Sequence, residues 1–258
     1  MQCIPHPHPL ICGIINATPD SFYDGGKYNP IEHGLQLIEQ GADWLDIGGE
    51  STRPNAPAIS LQEEIDRVIP VIEALKDSIP ISIDTTKSEV AQLAHQAGAT
   101  ILNDVRGFQD PKMQEISKIF EQSILMHSRG TPQTMLQQTQ YKDVVTDVIE
   151  WLLQQAKLCH SPKIWLDPGI GFAKDVQQNL KLMQQLHQLV NQGYPILLGT
   201  SRKSFIGHTL SQPNPKDRLS GSLATLASGY YQGVQCFRVH DVKESKDVLR
   251  MLQAIQTA

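Results

Sequence analysis

Eight short apolar segments recur along the chain, and each is followed by a polar or glycine-rich turn and then by a stretch with helical spacing. The segments are residues 10–15, 44–47, 81–83, 100–102, 123–126, 164–166, 196–198 and 236–239. Nearly continuous apolar segments of this length are typical of strands in a parallel sheet that is covered on both faces. Eight such units in 258 residues predict a closed (β/α)8 TIM barrel, a single α/β domain over residues 1–258. An open doubly wound sheet is the alternative, but the even spacing favours closure.

The stretches between these segments carry apolar residues three and four positions apart, which is the spacing of an amphipathic helix that covers a sheet. Three such sets are Ile65, Val68, Ile69 and Ile72; Val144, Val148, Trp151 and Leu152; and Leu180, Met183, Leu186 and Leu189. Glycine shortly before a strand is typical of a helix end. It is found in this place at Gly41, Gly98, Gly193 and Gly233.

Composition and charge limit the classes of molecule that the chain is expected to bind. The chain is 40% hydrophobic and 19% charged, with a formal net charge of −5, as expected for a globular protein. It has no long basic run and no apolar segment of about 20 residues, so nucleic acid and membranes are poor candidates for partners. The N-terminus lacks the pattern of a signal peptide, and the four cysteines are scattered without the spacing of a zinc site. We therefore expect a cytoplasmic protein that holds any anionic substrate with a few placed cations.

Polar residues follow the apolar segments directly. These positions are Asn16, residues 48–50, Asp84, Asn103 with Asp104, His127, Asp167, residues 201–203, and His240 with Asp241. In a (β/α)8 barrel the active site lies at the carboxyl ends of the strands. We therefore expect these side chains to converge on one deep polar pocket.

Two acids among them point to a flat ligand that donates hydrogen bonds. Asp84 and Asp167 each end an apolar segment, and a buried acid is costly unless it is paired. An aminopyrimidinone ring offers paired N–H donors to such acids, and Asn103 can supply both a donor and an acceptor to it. The alternative is that each acid only caps the helix that follows it.

Two basic residues near the last strand suggest an anion clamp. Arg238 lies within the last apolar segment, and His240 faces the same side of an extended chain. An arginine in this place needs an anionic or polar partner, so we interpret the pair as a phosphate or oxyanion clamp. The alternative is a structural ion pair between Arg238 and Asp241. None of the glycine-rich turns matches a dinucleotide-binding or P-loop fingerprint.

The residues around the eight strand ends also form a set of specific motifs. They are GIINATPDSFYDGG (13–26), DIGGESTRP (46–54), ISIDTTK (81–87), ILNDVRG (101–107), LMHSRGTPQTM (125–135), LDPGIGFAK (166–174), LLGTSRKSFIG (197–207) and FRVHDV (237–242). In this order they resemble the signature of the dihydropteroate synthase family over essentially the whole chain. The resemblance implies a folate-biosynthesis transferase that joins 6-hydroxymethyl-7,8-dihydropterin pyrophosphate to 4-aminobenzoate, giving 7,8-dihydropteroate and pyrophosphate.

The resemblance further implies roles for individual residues. The pterin ring would be held by Asp84, Asn103, Asp167 and Lys203. The pyrophosphate would be bound by Asn16, Arg238, Val239 and His240, and bridged by Mg²⁺ with Asn16 as a metal contact. The 4-aminobenzoate, with which sulfonamides compete, would lie against Thr52, Arg53, Pro54, Phe172 and Ser204. The catalytic residues would be Asp20, Arg238 and His240, with Asp20 stabilising a transient pterin cation. Mobile first and second strand loops and a homodimer are also implied.

Three positions depart from the family pattern, namely Tyr23, Asn55 and Ser128. Asn55 follows STRP, where glycine is common in the family. Asparagine tolerates a left-handed backbone better than most residues, so we expect the turn to persist.

Three other functions remain open at this stage. A pterin-binding methyltransferase shares the acid–amide–acid pattern but does not need GGESTRP or SRKSFIG. A Schiff-base aldolase would need a desolvated Lys203 with a depressed pKa. A relative that binds pterin without catalysis would keep the same residues, and only a direct assay with both substrates distinguishes it.

Overall fold

The computed structural model describes residues 8–17 and 29–258. Within them the strands are β1 (Leu10–Asn16), β2 (Trp44–Gly48), β3 (Ile81–Asp84), β4 (Ile101–Asp104), β5 (Gln122–Met126), β6 (Lys163–Asp167), β7 (Leu197–Leu198) and β8 (Cys236–Val239). The α-helices are α1 (Pro30–Glu39), α2 (Leu61–Leu75), α3 (Ser88–Ala97), α4 (Pro111–Ile116), α5 (Val144–Ala156), α6 (Val176–Gln184), α7 (Leu186–Val190), α8 (Ser204–Leu210), α9 (Leu219–Tyr231) and α10 (Val242–Thr257).

The strands form one parallel sheet that closes on itself. Their order is β6-β5-β4-β3-β2-β1-β8-β7. The remaining gap, between β6 and β7, is bridged where Leu166 pairs with Ile196 and where the Leu166 N–H donates to the Pro195 carbonyl at 2.9 Å. The predicted (β/α)8 barrel is therefore confirmed, and the open-sheet alternative is wrong.

Several strands extend past the apolar segments from which they were predicted. Asn16, Gly48, Asp84 and Asp167 are the last residues of their strands, not the first residues of loops. Backbone pairing continues through them, with Asn16 opposite Gly48, Gly48 opposite Asp84 and Asp84 opposite Asn103. The apolar pattern ends earlier than the hydrogen-bonded ladder because three of these residues have polar side chains and Gly48 has none, while their backbones stay in the sheet.

The predicted helical sets pack against the outside of the barrel, where they join one large apolar cluster. The third set is divided between two helices, because α6 ends at Gln184 and Gln185 leaves helical geometry at φ −116° and ψ 22°. The glycines predicted at helix ends all have positive φ, namely Gly41, Gly98, Gly193 and Gly233. No helix of the described ranges combines the length and apolarity of a membrane span.

Side chains that point into the barrel form a closed apolar floor. It consists of Cys12, Trp44, Ile101, Ile124, Trp165, Leu197 and Cys236. Trp44 and Trp165 meet edge to face, with ring centroids 5.4 Å apart. Because alternate residues of a strand share a face, the residues two positions further along lie directly above this floor. They include Asp46, Asn103, Asp167 and Arg238.

Replacing a glycine in the turn after β6 should distinguish the steric cost of an added side chain from the cost of a left-handed backbone. Gly169 has φ +64°, and an added Cβ would lie 1.9 Å from the His127 carbonyl oxygen. Gly193 has φ +84° but open space around it. A left-handed backbone costs a non-glycine residue about 1–2 kcal/mol. We expect Gly169→Ala to lower the free energy of unfolding by a further ~1–3 kcal/mol relative to Gly193→Ala, because overpacking adds to that cost.

Urea-induced unfolding of the two variants measures this difference. Equal losses would mean that the close approach of His127 to Gly169 does not hold in solution.

Candidate active site

A buried ionic network lies directly above the floor and is centred on Arg238 of β8. The Arg238 guanidinium donates from Nε to Asp46 Oδ2 at 2.6 Å and from Nη2 to Asp84 Oδ2 at 3.0 Å. The Asn103 side-chain amide donates to the same Asp46 oxygen at 3.1 Å. One acid from β2 therefore connects the amide on β4 with the arginine on β8.

Asp46 was not among the site residues inferred from sequence. It lies within the apolar segment that predicted β2, and its side chain is fully buried. The signal that could have found it is an acid inside a strand, which needs a cationic partner when buried. The structural ion pair that was the alternative for Arg238 does form, but with Asp46 and Asp84 instead of Asp241. Asp241 instead accepts from Arg202 Nε at 3.0 Å.

Asp167 and Lys203 complete the arrangement from the opposite wall. Asp167 is buried, and its Oδ1 accepts from the Gly169 N–H at 2.7 Å. A Cβ added at Gly199 would lie 3.8 Å from both Asp167 Oδ2 and Arg238 Cβ, which places this acid beside the arginine. Lys203 Nζ donates to the Ile170 carbonyl. We call the space bounded by these side chains the central basin; its residues are Asp46, Asp84, Asn103, Asp167, Lys203 and Arg238.

Burial and like charge shift the pKa values of these groups strongly. Burial, followed by the charge of Asp46, raises the pKa of Asp84 to about 8. Burial lowers the pKa of Lys203 to about 8, although Asp167 opposes that shift. Burial also acts against the charged form of Arg238, but Asp46 and Asp84 outweigh it and raise the pKa of the guanidinium. Arg238 therefore stays charged, whereas Asp84 and Lys203 can change protonation near neutral pH.

His240 borders the basin as a neutral ring. Burial, followed by the charge of Arg238, lowers its pKa to about 3. Its Nδ1 lies 3.0 Å from Ser201 Oγ, which also accepts from the His240 backbone N–H at 3.2 Å. If the serine hydroxyl donates to Nδ1, the other ring nitrogen, Nε2, carries the N–H and is a donor. Val239, the neighbouring residue, is buried at the end of β8.

The helix-capping interpretation of the two predicted acids does not hold. Lys87 is at the N-cap of α3 without a side-chain capping bond, and the Asp84 side chain faces Arg238. α6 is capped by Asp175, while Asp167 bonds within the turn that follows β6.

Two other polar residues at strand ends contact the surrounding protein and do not line the pocket. His127 is fully buried, with its ring 5.0 Å from that of Trp151 on α5. Asp104 accepts from the backbone N–H groups of Arg106 and Phe108 at 2.8 and 2.7 Å. Both residues follow an inward-facing residue of their strand, so strand alternation turns them away from the barrel interior. The expectation that every polar strand end would converge was therefore wrong for these two.

The loop after β2, residues 49–60, carries three of the five predicted 4-aminobenzoate residues, Thr52, Arg53 and Pro54, and is anchored at its base. Lys87 Nζ donates to Glu50 Oε2 at 2.5 Å and also forms an ion pair with Glu64. Glu64 is buried and accepts from the Thr85 hydroxyl at 2.6 Å. The start of the loop is thereby connected to α2 and to the end of β3.

The far end of the same loop contacts the segment after β5. The Asn55 N–H donates to the Pro132 carbonyl at 2.9 Å, and Gln133 Nε2 donates to the Ala56 carbonyl at 2.6 Å. Asn55 has φ +62°, so the left-handed turn persists as predicted. Arg53 and Pro54 are exposed on this loop.

A cavity of about 320 Å³ lies between this loop and the central basin. Its lining includes Thr52, Asp84 and Phe172, so three of the predicted substrate-binding residues share it. Phe172 also lies beneath Lys203, whose Nζ is 4.9 Å from the ring centroid. Ser204 is exposed at the first position of α8, next to Lys203.

Asn16, the predicted magnesium contact, ends β1 opposite Gly48 and is half-buried. Asp20 and Tyr23 lie outside the described residues. Among the residues that are described, no three His, Cys, Asp or Glu side chains form a group that could hold a metal ion.

Comparison with known proteins relates this site to a family. Residues 12–240 match the family model described as pterin binding enzyme. The chain is 43% identical over 258 residues to the dihydropteroate synthase of Synechocystis sp., covering 95% of this chain and 89% of that protein. It matches the Xanthomonas albilineans dihydropteroate synthase with 4-aminobenzoic acid with a TM-score of 0.90 and 40% identity, over 97% and 94% of the two chains. The same enzyme in complex with 7,8-dihydropteroate matches with a TM-score of 0.86 and 37% identity, over 97% and 95% of the chains. The chain therefore belongs to the dihydropteroate synthase family of pterin-binding transferases of folate synthesis, as its motifs predicted.

Proposed function

We propose that the chain condenses 6-hydroxymethyl-7,8-dihydropterin pyrophosphate with 4-aminobenzoate, and that the central basin holds the pterin. The observation that carries the proposal is the convergence of Asp84, Asn103, Asp167 and Lys203, from four separate strands and loops, around Arg238. Similarity to an enzyme whose complexes contain 4-aminobenzoic acid and 7,8-dihydropteroate supports the same chemistry here. We propose further that residues 1–258 act as one domain.

The pterin ring presents donors and acceptors along its edge, and the basin offers complementary groups. Asp84 and Asp167 accept N–H donors from the ring, and Asn103 is held by Asp46 so that its carbonyl oxygen is directed to the ligand. Lys203 donates to a ring acceptor from an Nζ that lies over the Phe172 ring. Because the pKa of Asp84 is about 8 without ligand, binding of N–H donors favours its ionised form and releases a proton.

The pyrophosphate is held beside the basin by Arg238, Val239 and His240. Two of the five guanidinium donors of Arg238 are used by Asp46 and Asp84. A neutral His240 contributes one further N–H. Magnesium suits this arrangement as a partner of the substrate, because Mg²⁺ commonly binds phosphates together with about one or two protein oxygens, and Asn16 would supply one. When bound, Mg²⁺ would supply positive charge that stabilises the pyrophosphate leaving group.

The reaction breaks the bond between the pterin methylene carbon and the pyrophosphate oxygen, and the bonding electrons leave with the oxygen. The amine of 4-aminobenzoate supplies the pair that forms the new C–N bond, and the proton it then loses passes to pyrophosphate or water. Asp20 stabilises the transient positive charge on the pterin. Thr52, Arg53, Pro54, Phe172 and Ser204 orient the benzoate, so the main contributions are orientation and charge stabilisation.

One feature of the protein favours the Schiff-base alternative. The pKa of Lys203 is lowered to about 8 by burial, which favours a neutral amine. Its Nζ, however, donates to the Ile170 carbonyl and faces the Asp167 carboxylate. Membership of the dihydropteroate synthase family and these contacts favour a binding role for the lysine over a covalent one.

The purified chain should form 7,8-dihydropteroate from the two substrates, and Arg238 should be essential for it. We expect Arg238→Ala to lower kcat at least about 100-fold, the scale for losing one donor to a developing anion. Arg250→Ala, an exposed change on α10, is the matched control and should leave kcat unchanged. Product formation is followed by chromatography.

Loss of Arg238 also leaves Asp46 and Asp84 unpaired, which costs stability by about 3–5 kcal/mol. Rates are therefore compared per folded molecule, and Arg238→Lys, which keeps a charge, provides a second variant. A fully active Arg238→Ala protein would exclude the clamp, and an inactive wild-type protein would exclude the proposed reaction.

Asp84→Asn should lower activity and raise stability at high pH. The pKa of Asp84 is about 8 in the folded chain and about 4 when unfolded. Between these values the folded state binds the extra proton, so wild-type stability falls as pH rises through this window. The variant lacks this penalty, and its stability relative to wild type should rise by at least about 1.4 kcal/mol, one pKa unit, from pH 5 to pH 9. Urea unfolding across that range measures it.

Asp143→Asn is the control of opposite sign. Its ion pair with Lys181 lowers the pKa of Asp143 to about 2. The stability it contributes is present above the unfolded pKa and is lost as pH falls, while asparagine keeps the N-cap of α5. A flat pH profile for Asp84→Asn relative to wild type would contradict the assigned pKa.

We also propose a homodimer that is formed through the last helices. Met251 and Ile255, one turn apart on α10, are 61% and 55% exposed, and Tyr231 at the end of α9 is 48% exposed. Met251→Glu with Ile255→Glu should shift sedimentation velocity from dimer to monomer, because buried charge opposes apolar contact. Leu93→Glu on α3 is the control. A wild-type monomer, or a dimer that survives both changes, would contradict this interface.

A further inference from the structure

A buried lysine lies inside the loop after β6, where no substrate can reach it. We call residues 168–175 the β6 loop. Lys174, in the motif LDPGIGFAK, is 5% exposed. Its Nζ lies 3.0 Å from three groups, which are the Gly169 carbonyl, the Phe172 carbonyl and His127 Nδ1. Three partners match the three positions available on an amine or ammonium group.

We infer that Lys174 is a positioning residue that fixes the β6 loop so that Phe172 is presented to the 4-aminobenzoate. The inference deepens the proposed function and rests on it. Lys174 Nζ contacts the carbonyls at the two ends of the turn 169–172, those of Gly169 and Phe172. Its contact with His127, the residue after β5, connects the turn to that strand. Without the lysine, the Gly169 carbonyl keeps the Phe172 N–H at 3.1 Å. The Phe172 carbonyl loses the lysine donor and has to turn towards water, so the loop around Phe172 has to rotate.

The backbone of the loop shows why such a group is needed. Gly169 and Gly171 have φ of +64° and +84°, and Ala173 has φ +48°, so the chain changes direction repeatedly within five residues. No regular ladder satisfies the carbonyls of such a path, and each buried carbonyl needs a donor. Burial strongly lowers the pKa of Lys174, in keeping with a side chain that contacts protein atoms instead of solvent.

Other contacts hold the backbone of the loop on either side of the Phe172 carbonyl. The Gly171 N–H donates to Asn179 Oδ1 at 2.6 Å, and Tyr141 donates its hydroxyl to the Ala173 carbonyl at 3.0 Å. Asp167 depends less on the loop, because its backbone belongs to the β6 ladder opposite Met126, although its Oδ1 accepts from the Gly169 N–H. Loss of the Lys174 contacts should therefore disturb Phe172 more than Asp167.

This difference predicts an unequal effect on the two substrates. Lys174→Met keeps the length of the side chain and removes its donors. We expect KM for 4-aminobenzoate to rise at least about tenfold, while KM for the pterin pyrophosphate changes less than about threefold, because Phe172 lies within the loop whereas Asp84, Asn103 and Asp167 belong to strands. Lys181→Met, which removes an exposed cation on the neighbouring α6, is the matched control and should change neither value.

A second variant distinguishes the effect of Lys174 on the position of Phe172 from its effect on the stability of the protein. Lys174→Met leaves His127 Nδ1 without a partner, so its melting temperature should fall. Adding His127→Phe removes that unpaired group and should recover part of the melting temperature, since replacing both partners by apolar groups is less costly than replacing one. The KM defect for 4-aminobenzoate should persist in the double variant, because the Phe172 carbonyl still lacks the lysine donor and the Gly169 carbonyl keeps only the Phe172 N–H.

The outcomes are distinct. A wild-type protein that makes 7,8-dihydropteroate and a Lys174→Met protein with unchanged KM values would overturn the positioning role while leaving the proposed function intact. Equal rises in both KM values, or recovery of KM together with melting temperature in the double variant, would also overturn it. If the wild-type chain makes no product, the proposed function fails; equilibrium titration with 7,8-dihydropteroate and with 6-hydroxymethyl-7,8-dihydropterin then tests Lys174 by itself. Loss of affinity for the first but not the second supports the role, and equal changes refute it.

Discussion

One arginine held between two acids inside the barrel determines the character of the site. Arg238 bonds to Asp46 and Asp84 in a space from which water is largely excluded. Charges in such a space are costly unless they are compensated. With Asp167 and Lys203 included, three acids face two bases, so the fully ionised basin would carry one uncompensated negative charge. Burial, followed by the charge of Asp46, raises the pKa of Asp84, and one proton there restores the balance. A ligand that brings N–H donors can replace that proton, which suits the recognition of a neutral, hydrogen-bonding ring.

The register of the strands determines where the charged and polar groups on the strands of the basin lie. The polar residues stand two positions above the apolar floor, on the same face of their strands, so Trp44 lies below Asp46 and Trp165 below Asp167. Backbone pairing of neighbouring strands then fixes their relative heights, as between Asp84 and Asn103. The position of each acid is therefore determined by the barrel itself, and the arrangement exists before any ligand arrives.

The sequence predicted this arrangement where a local pattern carries it and missed it where the contact is long-range. Asp84, Asn103 and Asp167 were found because each interrupts an apolar segment at its end. Asp46 was missed because it lies inside such a segment, and its partner Arg238 is 192 residues away. Asp241 was the wrong partner because it is merely the nearest acid in the chain. Alternation along the strand would have excluded His127, since it follows the inward-facing Met126 by one residue.

The binding sites for the two substrates of the proposed reaction are built from different kinds of structure. Three of the four pterin groups, Asp84, Asn103 and Asp167, belong to strands of the barrel, so their spacing is hard to change. The benzoate groups belong to loops that a few polar contacts hold, as Lys87 does for Glu50 and Lys174 does for the Phe172 carbonyl. A loop held by a few bonds opens locally at much lower free energy than a barrel strand. The site should therefore distinguish closely among rings in the basin and tolerate more variation in the second substrate, because only the first is matched against the sheet itself.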